Sequence, residues 1–377
     1  MPIMQSSPGP YTTLDGRRYL YFAGTGYLGL QGHPELIRAA AEATQKYGLG
    51  SATSRSGFGQ TPPLVELERR AAQWCGQPAS FCFASGYDGA ALLTDALAGT
   101  FDVVLIDELA HYALVEAAER SGRQIVRFRH RDTEHLRELL ECNPAAGLRP
   151  LVMSDGVFAA TGAIAPAAEY RQALAEFNGG TIYLDDAHAL GVLGEKGRGT
   201  FEYVGLDGSW NATAPGDTTD RVRLYSSATL SKALGAFGGI IAGSQALIAA
   251  LKDSTRFRGA SPPPIPALAA AARALELLAT DPAPRARLAE NVALLKQSLA
   301  NLGLPVDDTP VPIVSLVLES GHRMQQVQQA LMDEGIAVSY FPTYAGLGPE
   351  GGLRIAVFAT HTPAMVDQLA DALRRNL

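Results

Sequence analysis

The chain has little lysine, little cysteine and no long apolar run. Its three cysteines (Cys75, Cys82 and Cys142) are odd in number and lack metal-ligand spacing. That excludes a disulfide framework and a cysteine-ligated metal, and no metal site is expected; the pattern predicts reduced thiols in a cytoplasmic protein. No apolar stretch reaches the length of a bilayer span, and the opening Met1–Gln5 lacks a secretory pattern, so no membrane partner is expected. There is no basic block, and the formal net charge is −7, which argues against nucleic acid. A G-x-G-x-x-G does follow the predicted ribbon (Gly24–Gly29), but no predicted helix opens directly on it, which argues against a nicotinamide-binding enzyme. Internal repeats and low-complexity tracts are also missing. What remains is 377 residues, 47% of them hydrophobic, enough for a large core divided between two domains.

The pattern along the chain predicts an α/β protein. Tyr11–Leu14 and Arg18–Phe22 flank Asp15-Gly16 and predict a β-ribbon. A helix follows with Pro34 in its first turn, then an aperiodic loop over Gly48–Gly59, then an amphipathic helix over Pro62–Cys75. From residue 80, apolar runs alternate with helical periods. Ser80–Phe83, Val103–Ile106, Ile125–Phe128, Pro150–Met153, Thr181–Leu184 and Val222–Tyr225 read as strands buried on both faces. Such strands with helices between them form a mainly parallel sheet sandwiched by helices. Gly239–Ala242 reads as one more strand, of antiparallel sense. After about residue 257 the texture changes. Ser261–Pro264 breaks the chain, and two long Ala/Leu helices lead into strands Val311–Leu318, Ile336–Tyr340 and Leu353–Val357, with helices His322–Glu334 and Pro363–Arg374. The expected division is an N-terminal arm and helix (1–48), a large domain (49–256) and a smaller α+β domain (257–377).

Scarcity makes the lysines informative. There are five: Lys46, Lys196, Lys232, Lys252 and Lys296. Lys46 closes a helix, where a cation suits the dipole. Lys196 lies in a polar turn, and Lys252 and Lys296 sit in helical patterns that read as solvated faces. Only Lys232 follows an apolar strand and precedes a glycine-rich turn. A second stretch, Thr181–Leu184, ends in Asp185-Asp186-Ala187-His188. A confined Lys in a small-residue loop and an Asp at a strand end are what pyridoxal phosphate requires. The Lys holds the aldehyde as a Schiff base, and the Asp keeps the pyridine nitrogen protonated.

Parallel sheets bind ligands at the carboxyl ends of their strands. Ser85-Gly86, His111, Asp155, Asp185 and Lys232 all fall just after predicted strands. Each has a plainer reading. Asp185 with His188 could be a helix cap and a surface His, and Asp186 is a competing acid. Ser85-Gly86-Tyr87 before a helix offers backbone N–H groups to a phosphate, but Ser-Gly before a helix is common. Thr229 and Ser231 are hydroxyl donors near a phosphate or ordinary caps. His111 stacks on a pyridine ring or starts a helix. Arg354, on the apolar run Leu353–Val357, needs an anion: a substrate carboxylate or an internal Asp or Glu.

Together these residues resemble the α-oxoamine synthases, fold-type I pyridoxal-phosphate enzymes. The resemblance runs from Tyr27–Leu30 through Gly48–Gly59, Ser85–Tyr87, Asp107–His111, Asp155–Phe158, Asp185–His188, Gly191–Gly199 and Thr229–Gly235 to Arg354. It implies a fold-type I transferase with a seven-stranded sheet. It implies a decarboxylating C-acyltransferase that condenses a small amino acid with an acyl-CoA thioester, in a homodimer with active sites at the subunit interface. Lys232 is then base on the amino acid's Cα proton, His111 stacks on the ring, Asp185 pairs with the ring nitrogen, His188 meets the phenolic oxygen and Arg354 holds carboxylate. Ser85, Gly86, Tyr87, Asp155, Thr229 and Ser231 complete the cofactor set, and Thr25 is placed beside Arg354 toward substrate.

Departures from that family are visible. The N-terminal segment is shorter, so an early substrate-facing piece is expected to be absent. Thr25-Gly26 stands where the biotin-pathway members carry Asn-Asp. Ala159 replaces a Ser, Asp155 a Glu and Gly259–Ser261 a Thr/Ser-rich stretch; Tyr340–Pro349 also differs. Rival expectations are another fold-type I reaction (retro-aldol cleavage or amino transfer) and a non-catalytic subunit of the same fold.

Overall fold

A computed structural model describes residues 2–142, 148–208, 210–217 and 221–377. Strands β1 (Tyr11–Leu14) and β2 (Arg17–Tyr21) pair antiparallel about Asp15-Gly16, both at positive φ (47° and 80°). Helices α1 (Pro34–Tyr47) and α2 (Pro62–Cys75) each carry proline in the first turn, where its missing N–H costs nothing.

The alternating region builds one seven-stranded sheet. Its elements are β3 (Ala79–Phe83), α3 (Gly89–Ala96), β4 (Val103–Asp107), α4 (Tyr112–Arg120), β5 (Gln124–Phe128), α5 (Thr133–Cys142), β6 (Pro150–Asp155), α6 (Ala167–Phe177), β7 (Gly180–Asp185), the single-turn α7 (Thr200–Tyr203), β8 (Val222–Thr229) and β9 (Gly239–Gly243). The spatial order is β3-β9-β8-β7-β6-β4-β5. Only β9 runs against the others, pairing antiparallel with both β3 and β8. The four strands β4, β6, β7 and β8 are buried along their whole length, which is why their sequences are apolar without alternation.

The chain continues through α8 (Gln245–Asp253), α9 (Thr255–Arg258), α10 (Ile265–Thr280) and α11 (Ala283–Ala300). Helix α10 packs on both α1 and α2, tying the first third of the chain to the last. Then come β10 (Ile313–Leu316), α12 (Gly321–Asp333), β11 (Ile336–Ala337), β12 (Ser339–Phe341), β13 (Gly352–Ala356) and α13 (Pro363–Asn376). The run Ile336–Tyr340 is not one strand. Its first half pairs in parallel with β2 and its second half pairs antiparallel with β13. The N-terminal ribbon therefore shares a three-stranded sheet with the C-terminal region. His361 fastens that junction: its Nδ1 accepts from the Phe358 N–H (2.9 Å), its Nε2 donates to the Tyr21 carbonyl (3.1 Å), and its ring stacks on Phe22 at 4.1 Å.

One lysine expectation is corrected. Lys196 and Lys252 are exposed and Lys46 lies in the last turn of α1, but Lys296 is buried, not solvated. It sits on the apolar stripe of α11 with Val292, Leu295 and Leu299, and its ammonium is taken by Asp307 (2.5 Å) and by the carbonyl and hydroxyl of Thr309. Cys75 and Cys82 are free and buried; the side chain of Cys142 lies outside the described residues. No described helix is long and apolar enough to cross a membrane.

Candidate active site

Five strand ends deliver side chains to one place. Ser85, Gly86 and Tyr87 follow β3, His111 follows β4, Asp155 and Asp185 end β6 and β7, and Thr229, Ser231 and Lys232 stand at and beyond the end of β8. All of them line a single cleft of about 590 Å³, with Ala113, Ala187 and His188. The parallel sheet is the cause: strands that run the same way finish on the same edge.

Asp155 and Asp185 are register partners on adjacent strands, so two buried carboxyls lie side by side. Asp155 Oδ2 accepts from the His111 N–H at 2.8 Å, and Asp185 Oδ1 accepts from the Ala187 N–H at 2.9 Å. Burial pushes both carboxyls above their ordinary range, and the Asp185 charge adds to the rise at Asp155. Lys232 lies opposite them. Burial and the Arg354 charge lower its ammonium to about 8, while Asp185 and Asp155 pull the other way. An amine so placed releases its proton near neutrality, as a carbonyl-capturing lysine must.

The two candidate acids separate. Asp186 turns away from the cleft and accepts from the Thr200 hydroxyl (2.6 Å) and N–H (3.2 Å), anchoring the start of α7. It lines a different recess, with Cys75, Arg198 and Trp210. Gly156 and Gly199 make that turn possible, since a Cβ at either would come within 2.1–2.3 Å of the Asp186 carboxylate.

His188 is buried, and its Nδ1 is 2.6 Å from the Tyr27 hydroxyl. Burial, Lys232 and Arg354 hold its imidazole well below the ordinary range, so the ring is neutral. Arg354, on β13, donates to three oxygens: Ala159 (2.9 Å), Gly24 (2.9 Å) and Tyr27 (3.2 Å). Of its two expected partners, the internal acid is not there: no internal carboxylate pairs with it among the described residues, and its buried charge is met only by neutral oxygens.

His111 starts a helix, and it also borders the cleft. Its Nδ1 caps α4 through the Ala113 N–H (3.2 Å), and its ring walls the cleft, edge-on to Tyr87 at 5.9 Å. Ser85 Oγ accepts from the Tyr87 N–H (3.3 Å) and opens the turn before α3. Thr229 is the cap its plainer reading supposed. Its hydroxyl donates to the Gly238 carbonyl (3.1 Å) and accepts from the Ser231 N–H (3.2 Å), so its proton is already engaged. Thr25 does not line the cleft; its carbonyl accepts from the Tyr27 N–H at 3.0 Å.

Two residues carry more of the site than the sequence discloses. Tyr27 stands there only at the head of the stretch Tyr27–Leu30, and Ala187 only inside Asp185–His188, neither with a role of its own. Tyr27 becomes functional only because β13 brings Arg354 beside it. Among the described residues no group of three His, Cys, Asp or Glu side chains is placed to hold a metal ion.

The sequence pattern of the aminotransferase class I and II family matches residues 20–373. The 8-amino-7-oxononanoate synthase of Anaeromyxobacter dehalogenans is 38% identical over 372 residues, covering 97% of this chain and 88% of that one. The protein of that name from Trichlorobacter lovleyi is 36% identical over 375 residues, covering 97% and 90%. A serine palmitoyltransferase from S. paucimobilis, solved with PLP–myriocin bound, superposes with a TM-score of 0.89 at 26% identity, covering 100% of this chain and 92% of its own. The Francisella tularensis 8-amino-7-oxononanoate synthase, at 21% identity and a TM-score of 0.75, shares the fold over 95% of this chain and 97% of its own. Matched in sequence and fold along almost its entire length, the chain belongs to the aminotransferase class I and II family.

Proposed function

We propose that this protein is a pyridoxal-phosphate-dependent C-acyltransferase of the 8-amino-7-oxononanoate synthase type. It joins a small amino acid to the acyl group of an acyl-CoA thioester with loss of CO₂. One observation carries the reading: Lys232, with a depressed amine, faces Asp185 and His188 in one cleft at the carboxyl edge of a parallel sheet.

The residues fit the cofactor. Lys232 offers the amine for its aldehyde, Asp185 a buried carboxyl for its ring nitrogen, His188 an imidazole for its phenolic oxygen and His111 a ring for its face. The turn Ser85–Tyr87 offers backbone donors to its phosphate, in a cradle that a Cβ on Gly86 would fill. When bound, pyridoxal phosphate supplies the electron sink for a carbanion at the amino acid's Cα.

The chain's own residues do the rest. Lys232 takes the Cα proton, and the cluster of Asp155 and Asp185 beside it steadies the resulting ammonium. Arg354, buried and unneutralised, is completed by the amino acid's carboxylate. The balance is a broken Cα–H bond, a new bond between Cα and the acyl carbon, a broken C–S bond that releases CoA as its thiol with the proton Lys232 removed, and a broken Cα–carboxyl bond that releases CO₂, its place on Cα taken by a proton from solvent. We further propose a homodimer, and a division into an N-terminal arm and helix (1–48), a large domain that holds the cofactor (49–256) and a small C-terminal domain (257–377).

Borohydride reduction of the reconstituted protein followed by peptide mapping tests the attachment, with the pyridoxyl label expected on Lys232 alone. A screen of alanine, glycine and serine against short and long thioesters tests the reaction, with CoA and CO₂ expected together. A label elsewhere rejects the site. Aldehyde release without CoA favours retro-aldol cleavage instead.

A further inference from the structure

Tyr27 is fully buried and its hydroxyl has two neighbours among the described residues, Arg354 Nη2 at 3.2 Å and His188 Nδ1 at 2.6 Å. These two contacts fix where the protons are. A guanidinium has five N–H donors and no acceptor, so at the Tyr27 oxygen Arg354 can only donate. The hydroxyl owns one proton. Directed away from Arg354, that proton points at His188 Nδ1, which must then be the unprotonated nitrogen. Were Nδ1 instead the donor, the tyrosine proton would have no acceptor in a buried site, an expensive arrangement. The imidazole is neutral, held so by burial and by the charges of Lys232 and Arg354. Its single proton therefore sits on Nε2, on the edge of the ring that Tyr27 does not occupy.

We infer that Tyr27 is a positioning residue that relays Arg354 to His188 and locks His188 as an Nε2–H donor facing the cleft. The inference deepens the proposed function and rests on it for its catalytic meaning. There, His188 meets the anionic phenolic oxygen of the cofactor, which demands a donor, and Arg354 meets the substrate carboxylate. One hydroxyl then ties the amino-acid site to the cofactor site, with the Arg354 contacts to Gly24 and Ala159 holding the fork in place. The backbone supports this. The Ala359 N–H donates to the Tyr27 carbonyl at 2.7 Å, and the Ala356 N–H to the Phe22 carbonyl at 2.8 Å, so the tyrosine is clamped to the strand end that carries Arg354.

The test is the ring ¹⁵N spectrum of His188 in the full-length protein before pyridoxal phosphate is added, where Tyr27 alone sets the tautomer, assigned by difference against His188→Gln. A protonated Nε2 and an unprotonated Nδ1 are expected. In Tyr27→Phe, which keeps the ring and loses the relay, both tautomers should populate. The pH titration of the cofactor's absorbance should move, and kcat/KM should fall by about 10- to 100-fold, the range for one buried hydrogen bond to a charged network. Should Tyr27→Phe not fold, Arg354→Met gives the same tautomer mixture by removing the donor that orients the hydroxyl. A wild-type spectrum protonated at Nδ1, or variants whose His188 signals and absorbance titration match wild type, overturns the relay. The spectrum is read before any substrate is added, so a protein that fails at acyl transfer can still show the tautomer, and the two failures are told apart.

Discussion

Replacing Gly86 with alanine should damage cofactor binding at least as much as overall stability. Gly86 has no left-handed φ, so its need for glycine is one of space. A Cβ built there lies 2.6 Å from both Cβ and Oγ1 of Thr229 and 3.2 Å from its Cα. Carbon atoms rest at about 3.5–4.0 Å, so the two segments must part by roughly 1 Å. Thr229 cannot yield easily. It is buried at the end of β8, paired with Gly239, and its hydroxyl bonds both Gly238 and Ser231. The turn Ser85–Tyr87 moves instead, and that turn supplies the proposed phosphate donors. Overpacking of this kind costs about 1–3 kcal/mol, equivalent to a Tm lower by roughly 1–4 °C in a chain of this size. Misplacing one charge-assisted hydrogen bond costs about 1.5–3 kcal/mol, a Kd for pyridoxal phosphate raised by roughly 10- to 100-fold. Calorimetry reads the first and an absorbance titration the second. Gly50→Ala, where nothing lies within 4 Å of the added Cβ, is the control for stability. A Gly86→Ala protein that binds the cofactor with wild-type Kd would refute the steric reasoning and with it the phosphate seat.

Reconstitution of the apo protein should accelerate as pH rises, with its midpoint near the Lys232 value of about 8, because only the free amine attacks an aldehyde; stopped-flow absorbance measures it. Burial holds the Asp186 carboxyl at about 7 in the folded chain, against 3.8 ordinarily. Between about pH 4 and 7 the folded state thus keeps a proton that the unfolded state has lost, and stability falls as pH rises through that window. Asp186→Asn should flatten this part of the profile. At pH 8 it should gain on wild type by up to about 1.4 kcal/mol for each pH unit that the window spans, as urea titrations at several pH values would show. Glu68 pairs with Arg55 Nη1 at 2.8 Å and accepts from the Cys82 N–H at 2.8 Å. Glu68→Ala strands the buried guanidinium and should cost about 3–5 kcal/mol in denaturant unfolding; a loss under about 1 kcal/mol would show that Arg55 finds another partner.

Much of the fold is written locally. The four central strands are apolar on both faces because helices cover both, and that composition is plain without knowledge of the tertiary structure. The antiparallel sense of β9 is legible from its short distance to β8, since a parallel neighbour needs a longer crossover. The expectation of a solvated Lys296 fails although its i, i+3, i+4 neighbours Val292, Leu295 and Leu299 mark a buried stripe. Charge suggests solvent, while the partners that make burial tolerable, Asp307 and Thr309, come from the loop after the helix. The split of Ile336–Tyr340 between two sheets is invisible in the sequence for a like reason: its pairing partners, β2 and β13, are set by folding and not by neighbours along the chain.

The sequence by itself determined the chemistry on offer: one lysine set apart from four others by what flanks it, an acid at a strand end, an imidazole three residues on, a Ser-Gly turn. These are short-range patterns, fixed by neighbours along the chain. Only the tertiary structure decided which of two adjacent aspartates faces the cleft, because that depends on Thr200 claiming Asp186. It likewise decided that Arg354 meets no Asp or Glu among the described residues, and that Tyr27 stands between it and His188. Those last two outcomes rest on contacts between residues more than 150 positions apart, and local preferences carry no record of what folding will bring alongside.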